Sequence, residues 1–315
     1  MKPNSNELAK TSTSSTPKCT KSSEVPRHEP VLLEEVLDWL QVSPGKVYVD
    51  GTVGLGGHSA AILERSAPDG FLIGFEWNEE SFALAKERLA PFSGRFLMVR
   101  ENFAHLKEVL EELGKVPVDG ILVDLGVSSF LLEGSGRGFS FLRDEPLDMR
   151  MDNRQNLTAK DLVNQLSPLQ LEELIRSFGE ERFARRIARA ICEARRKSPI
   201  RSSKELAEIV LHAVPRGREK KIHPATKTFQ ALRMAVNQEL ENLKRFLETA
   251  PDVLRPGGRL VVISFHSLED RLVKHAFRSD ERLRVLTKKP VTPSKEEIAR
   301  NPRARSAKLR VAERI

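Results

Sequence analysis

The sequence predicts an α/β protein with a doubly wound, mostly parallel sheet, and three observations support this fold class. Short apolar runs rich in β-branched residues alternate with amphipathic, helix-like segments. A glycine-rich turn joins the first of these runs to a helix, and an acidic residue follows the second run. The alternation stops near residue 132 and resumes near residue 241, which predicts an inserted, mainly helical domain.

The first predicted strand, at 47–50, leads through a glycine-rich turn into a helix-like segment at 59–65. The glycines of the turn are Gly51, Gly54, Gly56 and Gly57. Glycine adopts positive φ angles and lets the backbone approach a ligand closely. A helix N-terminus behind such a turn presents unpaired N–H groups to an anionic or nucleotide-like ligand. A Gly-x-Gly-Gly run alone is a weak signal, because glycine turns also occur in proteins that bind nothing.

The second strand adds an acidic residue, Glu76, about twenty residues after the turn, where a carboxylate accepts hydrogen bonds from ribose hydroxyls. NAD-dependent dehydrogenases and S-adenosylmethionine (SAM) methyltransferases share this arrangement. The glycine spacing departs from the Gly-x-Gly-x-x-Gly of dinucleotide sites, and Asp50 would repel a pyrophosphate. SAM carries an amino group and a sulfonium, which tolerate a nearby carboxylate. These residues therefore favour SAM over NAD as the cofactor.

Composition limits the classes of function. The chain has 315 residues, of which 39% are hydrophobic and 30% charged, and no apolar run approaches the roughly 20 residues that span a bilayer. We therefore expect no membrane partner. The formal charge of +8 indicates a polyanionic partner such as nucleic acid, although a basic protein without one is the alternative. The two cysteines, Cys19 and Cys192, support neither a disulfide framework nor a Cys-rich metal site, so we expect a cytoplasmic location and no metal.

The chain divides into three predicted parts. Residues 1–27 are rich in Ser, Thr, Lys and Pro, and we expect a disordered tail there. Residues 28–132 and 241–315 form the SAM-binding core, and residues 133–240 form the inserted helical domain, expected to recognise the substrate.

Polar residues end most of the predicted strands. Besides those above, helices are predicted at 31–40, 79–90 and 103–113, and strands at 95–99, 120–124 and 259–264. The carboxyl ends of parallel strands form one crevice in such sheets. We therefore expect Asp50, Glu76, Asn102, Phe103 and Asp124 to converge on one ligand site.

Two segments of the insertion carry possible substrate contacts. The segment 134–141 is glycine-rich and contains Arg137, Phe139 and Phe141. The segment 182–197 predicts a helix with an apolar face and a basic face. The apolar face consists of Phe183, Ile187, Ile191 and Ala194, and the basic face of Arg182, Arg185, Arg189 and Arg196. A basic helical face beside an α/β site suits contact with a phosphate backbone, and a solvated face is the alternative.

Longer runs of residues indicate a family. The run Asp-Leu-Gly-Val-Ser-Ser at 124–129 and the run Pro-Leu-Asp-Met-Arg-Met-Asp at 146–152 closely resemble the MraW (RsmH) family of bacterial 16S rRNA N4-cytidine methyltransferases. The segments 28–33, 179–189, 223–226, 263–271 and 301–305 resemble it as well. The resemblance extends over nearly the whole chain from residue 28 onward, with the motifs in order.

The resemblance implies a class I SAM-dependent methyltransferase core with a helical insertion. Its implied reaction is methylation of the N4 amine of a decoding-centre cytidine in 16S rRNA of the small ribosomal subunit. The implied SAM contacts are Gly56, Gly57, His58, Glu76 for the ribose, Phe103 beside the adenine, and Asp124. The family commonly has Asp in place of Glu76, a change that keeps the acceptor chemistry. It commonly has Pro-Gln where this chain has Phe130 and Leu131, so the glutamine contact to the cofactor is not carried over.

Asp124 is the predicted catalytic residue. The lone pair of a cytosine N4 amine is delocalised into the ring, so the amine is a poor nucleophile. A carboxylate that accepts hydrogen bonds from the amine aims the nitrogen at the sulfonium methyl. A purely SAM-binding role for Asp124 stays open at this point. His266 is expected to rim the same crevice, and a packed or capping histidine is the alternative.

Three functions stay open on the sequence. The first is the RNA N4-cytidine methyltransferase, and the second is a SAM methyltransferase of DNA, protein or a small molecule. The third is a non-catalytic rRNA-binding assembly factor that kept the fold. A homodimer is one open assembly, because the sequence does not report the oligomeric state.

Overall fold

The computed structural model describes residues 30–215 and 223–315, and the tail predicted at 1–27 lies outside the described residues. A seven-stranded sheet with the strand order β3-β2-β1-β4-β5-β7-β6 forms the centre of the described part. The strands are β1 (Val47–Asp50), β2 (Phe71–Phe75), β3 (Phe96–Val99), β4 (Val118–Asp124), β5 (Leu254–Ser264), β6 (Leu283–Val285) and β7 (Lys308–Arg314).

Five strands of the sheet run parallel, which confirms the predicted doubly wound arrangement. β1 pairs with β2 and β4, β2 pairs with β3, and β4 pairs with β5, all in parallel. The strand β7 lies antiparallel between β5 and β6. Doubly wound dinucleotide-binding sheets follow the order 3-2-1-4-5-6 instead. Neither β6 nor β7 was predicted, because both lie in charged stretches without a long apolar run.

The helices differ in where they pack. In chain order they are α1 (Leu33–Trp39), α2 (Gly57–Arg65), α3 (Glu79–Leu89), α4 (Leu106–Glu112), α5 (Ser129–Glu133), α6 (Ala159–Gln165), α7 (Pro168–Gly179), α8 (Ala184–Lys197), α9 (Ser203–Ala213), α10 (Thr226–Val236), α11 (Glu239–Val253), α12 (Ser267–Ser279) and α13 (Lys295–Arg300). Helices α5 to α10 lie between β4 and β5 in the chain. Within the described ranges, no helix combines the length and apolar character needed to cross a bilayer.

The central strands are buried on both faces, as their nearly continuous apolar runs predict. Val49, Ile73 and Ile121, from three neighbouring strands, pack on one face with Phe246 of α11. The residues next to them in each strand pack on the other face with Ile62 of α2. Helices on both faces leave the carboxyl ends of the strands as the open edge of the sheet.

Helices α5 to α10 share a hydrophobic core of their own, whereas α11 packs against the sheet. Leu171, Ile187, Leu206 and Phe229 belong to this cluster, which is separate from the two clusters that flank the sheet. The structure thus contains a helical segment where the sequence predicts one. Its division from the SAM-binding core at residues 133 and 240 stays a prediction.

Helix α8 has the two faces that its sequence predicts. Ile187 and Ile191 are buried in the helical core, and Phe183 and Ala194 pack against it. The arginines of the predicted basic face, Arg182, Arg185, Arg189 and Arg196, are all exposed.

Asn237, which follows α10, holds the stretch 149–151, which Asn78 in turn bonds from the side of the sheet. Asn237 Oδ1 accepts a hydrogen bond from Met151 N and its Nδ2 donates one to Met149 O, both at 2.8 Å. From the sheet side, Asn78 Nδ2 donates to Met151 O, also at 2.8 Å. Met149 is buried and has φ +61°, a left-handed conformation that a non-glycine residue keeps only when its surroundings impose it.

Replacing Asn237 with alanine is expected to destabilise the protein. The change leaves Met149 O and Met151 N buried without their side-chain partner, at a cost of roughly 1–3 kcal/mol for each group. We expect urea unfolding to show a loss of about 3 kcal/mol in the free energy of unfolding. Asn153→Ala, which removes an exposed amide on the same side of the molecule, is the control and should change this free energy by less than about 0.5 kcal/mol. Equal losses of unfolding free energy in the two variants would contradict the role of Asn237 in holding Met149 and Met151.

Candidate active site

The glycine turn between β1 and α2 is held by Asp50. Thr52 N donates to Asp50 Oδ1 at 3.0 Å, and Ser59 Oγ donates to Asp50 Oδ2 at 2.6 Å. Gly54 has φ +56° and Gly56 has φ +80°, so the turn uses left-handed conformations that favour glycine. Asp50 is 1% exposed, and its carboxylate therefore fixes the turn from inside the protein.

Glu76 lies directly after β2, as predicted, and links the turn to the second strand. Gly54 N donates to Glu76 Oε2 at 2.9 Å, and Asn78 N donates to Oε1 at 2.8 Å. Each carboxylate oxygen has two lone pairs, so each keeps one for a further donor. The Glu76 side chain lines the main cavity of the described structure.

Asp124 ends β4 and faces the same turn. Its backbone N–H donates to Thr52 Oγ1 at 2.6 Å. Its Oδ2 lies 3.8 Å from His58 Nδ1, and His58 Nε2 lies 2.9 Å from Val31 O, which holds the imidazole in place. Its Oδ1 is buried and finds no hydrogen-bond partner among residues 30–215 and 223–315. A buried carboxylate oxygen in this state indicates a place for an incoming donor or cation.

Three neighbouring carboxyl groups have raised pKa values. Burial raises the pKa of Asp50 to about 6 and that of Glu76 to about 7. Burial also raises the pKa of Asp124 well above its ordinary value, and the negative charges of Asp50 and Glu269 raise it further. Within the described part of the chain, no Lys or Arg forms an ion pair with Asp50, Glu76 or Asp124. The site therefore favours a ligand that brings positive charge.

Phe103 forms an apolar wall beside these groups. It begins a short 3-10 turn after β3, and Asn102 Oδ1 caps that turn by accepting from Ala104 N at 2.9 Å. The Phe103 ring packs edge-on against Phe246, with the ring centroids 5.5 Å apart. Its position suits contact with the flat ring of a ligand.

The structure brings most of the predicted strand-end residues together. Glu76, Asn102, Phe103 and Asp124 all line one cavity, and so do Gly57 and His58 of the turn. Asp50 is the exception, because it lies behind the turn.

Gly56 also differs from the expectation of a direct ligand contact. It is not among the residues that line the cavity. Its N–H donates to Val53 O at 2.8 Å, and a Cβ at Gly56 would face Arg88 and Ala85. The positive φ of Gly56 therefore shapes the turn from the side away from the cavity. At the next residue, Gly57, an added Cβ would lie 2.6 Å from Pro30 Cγ.

The cavity continues past Asp124 to a second wall between the sheet and the helical segment. Its volume is about 600 Å³, within the range of small-molecule sites. The second wall comes from α10 and from the first turns of α11 and α12. Its polar side chains include Arg233, Glu239, His266 and Glu269. We call the part lined by these residues the acceptor half, and the part around the glycine turn the SAM half.

The acceptor half contains paired charges that the sequence did not reveal. Arg233 holds both oxygens of Glu239, with N–O distances of 2.7 and 2.8 Å. Glu239, His266 and Glu269 each place one potential metal-ligand atom within 4.8 Å of the others. The sequence predicts no metal in this protein. In the structure, the positive charge beside Glu239 comes from Arg233. Acidic residues such as Glu239 are common in the first turn of a helix, where they interact favourably with the helix dipole. The sequence pattern therefore does not indicate that Glu239 belongs to a functional site.

Aromatic side chains close the outer part of the cavity. Phe139, Phe141 and Phe265 line it. Phe141 stacks on His223 with the ring centroids 4.6 Å apart and meets Phe229 edge-on at 5.1 Å. Leu131 also lines the cavity, so this position supplies an apolar contact where the family commonly has glutamine.

A family model described as the MraW methylase family matches residues 25–315. The chain belongs to this family. It is 52% identical over 307 residues to the Ribosomal RNA small subunit methyltransferase H of Syntrophus aciditrophicus, with 91% of this chain and 98% of that protein covered. It is also 52% identical over 289 residues to the protein of the same name from Desulfotalea psychrophila, with the same coverage.

Solved structures that resemble the chain are more distant. An rRNA methylase from Streptococcus thermophilus shares 12% identity, with a TM-score of 0.41 and coverage of 89% of this chain and 95% of that one. A SAM-dependent O-methyltransferase from Thermotoga maritima shares 11% identity, with a TM-score of 0.43 and coverage of 92% and 68%. The fold class follows from the strand order and the family.

Members of this family are class I methyltransferases, and SAM is the cofactor of this protein. The SAM half fits that cofactor. Its three carboxyl groups lack cationic partners among the described residues, and SAM brings a sulfonium and an ammonium group. The unpartnered Asp124 Oδ1 and the flat wall at Phe103 suit the remaining parts of the molecule.

SAM affinity is expected to rise with pH. The cationic cofactor favours the ionised carboxylates, and Glu76 with a pKa of about 7 and Asp50 with a pKa of about 6 ionise only as the pH rises through these values. Calorimetry between pH 5 and about 8 should show increasing affinity, with proton release on binding near pH 6 to 7. Glu76→Gln should weaken SAM binding at least about tenfold. It should also remove the part of the increase in SAM affinity that occurs near pH 7.

The stability of the SAM-free protein provides a control, because it should change with pH in the direction opposite to SAM affinity. The pKa values of Asp50 and Glu76 are raised by folding, so their contribution to stability is complete at low pH and is lost as the pH rises through about 6 to 7. The Tm of the SAM-free protein should therefore fall over the range in which SAM affinity rises. An affinity independent of pH would contradict the assignment of the cofactor to these carboxylates.

Proposed function

We propose that this protein transfers a methyl group from SAM to the N4 amine of a decoding-centre cytidine in 16S rRNA of the small ribosomal subunit. The observation that carries this proposal is the position of Asp124, whose buried, unpartnered Oδ1 lies where the SAM half meets the acceptor half of one cavity. The name of the relatives, Ribosomal RNA small subunit methyltransferase H, supports small-subunit rRNA as the substrate.

The cofactor contacts that we propose follow the geometry of the SAM half. The first turn of α2, at Gly57 and His58, offers backbone N–H groups to the cofactor carboxylate. Glu76 accepts from the ribose hydroxyls, and Phe103 contacts the adenine. Gly56 acts through the shape of the turn, as its position behind the cavity wall supports.

When bound, SAM supplies a methyl group activated by its sulfonium. Asp124 Oδ1 accepts a hydrogen bond from the acceptor amine, which draws the nitrogen toward tetrahedral geometry and aims its lone pair at the methyl carbon. A carbon–nitrogen bond forms while the carbon–sulfur bond breaks, and the sulfur keeps the electron pair. The amine then loses a proton, which Asp124 accepts, and the raised pKa of this carboxyl favours that transfer. His58 and Thr52 keep Asp124 in place.

The substrate reaches the acceptor half as an extruded base. An amine within folded RNA is inaccessible until its nucleotide leaves the stack, and enzymes of this kind hold the base between aromatic or apolar side chains. Phe139, Phe141 and Phe265 supply such side chains at the cavity. A free small-molecule substrate would not need a helical segment of this size with a basic face.

The basic face of α8 is the proposed contact for the RNA backbone. Arg182, Arg185, Arg189 and Arg196 are exposed, and none forms an ion pair within the described ranges. Free guanidinium groups on one helix face bind phosphates without selecting a base. We assign substrate recognition to the insertion at 133–240 and propose a cytoplasmic location, where ribosomal subunits are found. A homodimer stays a prediction for light scattering to test.

Asp124→Asn is expected to lower methyl transfer by about 100-fold or more at saturating SAM, because the amide is a weaker acceptor and takes up no proton. The substrate is small ribosomal subunits from a strain that lacks the gene, with SAM carrying a labelled methyl group. Nucleoside digestion after reaction with the unmodified enzyme should yield labelled N4-methylcytidine.

Two measurements make this test specific. SAM affinity from calorimetry shows whether the variant still binds the cofactor, so that lost transfer is not lost binding. The identity of the product tests the substrate itself. If the unmodified enzyme yields 5-methylcytidine or methyladenosine, or labels no rRNA, the proposed reaction is wrong.

Charge reversal at Arg185 and Arg189 tests the RNA face. The double variant to glutamate should weaken binding of small subunits and flatten its dependence on salt, because fewer phosphates are neutralised. SAM binding should not change. Lys274→Glu with Arg278→Glu, on the exposed side of α12, carries the same change of charge and serves as the control. Equal effects of both double variants would show that only net charge matters.

A further inference from the structure

His266 holds a defined position at the start of α12, where the chain leaves β5. Its Nδ1 accepts a hydrogen bond from Glu269 N at 3.4 Å and caps the helix. In return, Glu269 Oε2 accepts from Phe265 N at 2.9 Å and from His266 N at 3.3 Å. Because Nδ1 acts as an acceptor, the neutral imidazole carries its hydrogen on Nε2.

The Nε2–H group of His266 is a donor without a partner. The side chain is 13% exposed and lines the acceptor half. Nε2 is buried and has no hydrogen-bond partner among the described residues. Glu269 Oε1 lies 3.0 Å away but outside hydrogen-bonding geometry, so its charge attracts the N–H without satisfying it. A buried donor in a cavity wall indicates a ligand acceptor opposite it.

The neighbouring charges leave this donor available. Glu239 is the other carboxylate close to the His266 ring, and Arg233 holds both of its oxygens. Glu269 is 2% exposed and uses Oε2 for the backbone of its own turn. Asp124 is close enough to Glu269 for the two negative charges to interact. Asp124 and His266 both line the same cavity, so an unpartnered acceptor, Asp124 Oδ1, and an unpartnered donor, His266 Nε2–H, belong to one wall.

We propose that His266 is a specificity-determining residue that donates its Nε2–H to the acceptor edge of the target base, N3 and O2 of cytosine, while Asp124 receives the amine. The inference rests on the proposed function and adds the recognition of the base to it. Enzymes that extrude a base read it by hydrogen bonds to its Watson–Crick edge. Cytosine presents a donor at N4 next to an acceptor at N3, which complements this wall. Uracil presents an acceptor at O4 and a donor at N3, so both contacts would be mismatched.

Two substitutions at His266 separate its role as the cap of α12 from its role as a hydrogen-bond donor. His266→Asn keeps a side-chain oxygen that caps α12 but removes the Nε2 donor. His266→Gln places an amide N–H close to the position of Nε2. His275→Ala, on the exposed side of the same helix, is the matched control. Small subunits that lack the methyl group are the substrate, and kcat and KM are measured at saturating SAM.

We expect His266→Asn to lower kcat/KM for subunits at least tenfold while the Kd for SAM stays within twofold. His266→Gln should recover part of the loss, and His275→Ala should behave like the unmodified enzyme. Nitrogen-15 spectra of the histidine rings should assign the Nε2–H tautomer to the signal that disappears in His266→Asn.

Several results would overturn the inference without touching the proposed function, which the formation of N4-methylcytidine by the unmodified enzyme tests by itself. Normal kcat/KM in His266→Asn would show that the donor is not used. Loss of SAM binding in the same variant would assign His266 to the architecture of the site. An Nδ1–H tautomer, or loss of transfer in EDTA-dialysed enzyme that a divalent cation restores, would assign the cluster of Glu239, His266 and Glu269 to another role.

Discussion

Asp50, Glu76 and Asp124 lie close together at the carboxyl end of the sheet, Asp50 fully buried and the other two half-buried at the cavity wall, so water screens their charges only weakly. Burial of ionised carboxyl groups is costly unless hydrogen bonds or cations compensate it. For Asp50 and Glu76, the compensation comes from backbone N–H groups of the glycine turn and of Asn78. This requirement helps to explain the shape of the turn, since Gly54, which donates its N–H to Glu76, has a left-handed conformation. The remaining unfavourable charge is left for the cofactor to neutralise.

The same network extends into the helical segment. Asn78, whose N–H binds Glu76, also donates through its side chain to Met151 O, and Asn237 accepts from Met151 N. The acceptor half of the cavity begins at this junction, because Arg233 and Glu239 flank Asn237 in the chain. A few buried amides therefore fix the two halves of the cavity relative to each other. Precise alignment of this kind is a large part of catalysis by proximity.

The sequence predicts that Glu76, Phe103 and Asp124 lie together, but it does not predict the ion pair of Arg233 and Glu239, for a physical reason. Glu76, Phe103 and Asp124 each follow a short apolar run, and parallel strands bring such ends together whatever the rest of the chain does. Asp50 has the same pattern, but its carboxylate turns inward to Ser59, which spacing alone does not reveal. Arg233 and Glu239 meet only because two helices join at Asn237, and the pattern of each helix by itself looks ordinary. The strands β6 and β7 were missed because their pairing depends on a distant strand.

The antiparallel strand β7 has a consequence for biosynthesis. It is the last of the seven strands to leave the ribosome, yet it occupies the place between β5 and β6. The 3-10 turn Pro302–Ser306 that precedes it brings Arg303 and Ser306 to the cavity. Domains begin to fold from the N-terminal side during translation. A nascent chain would thus have an incomplete cavity and an unpaired edge at β5 until its final segment emerges.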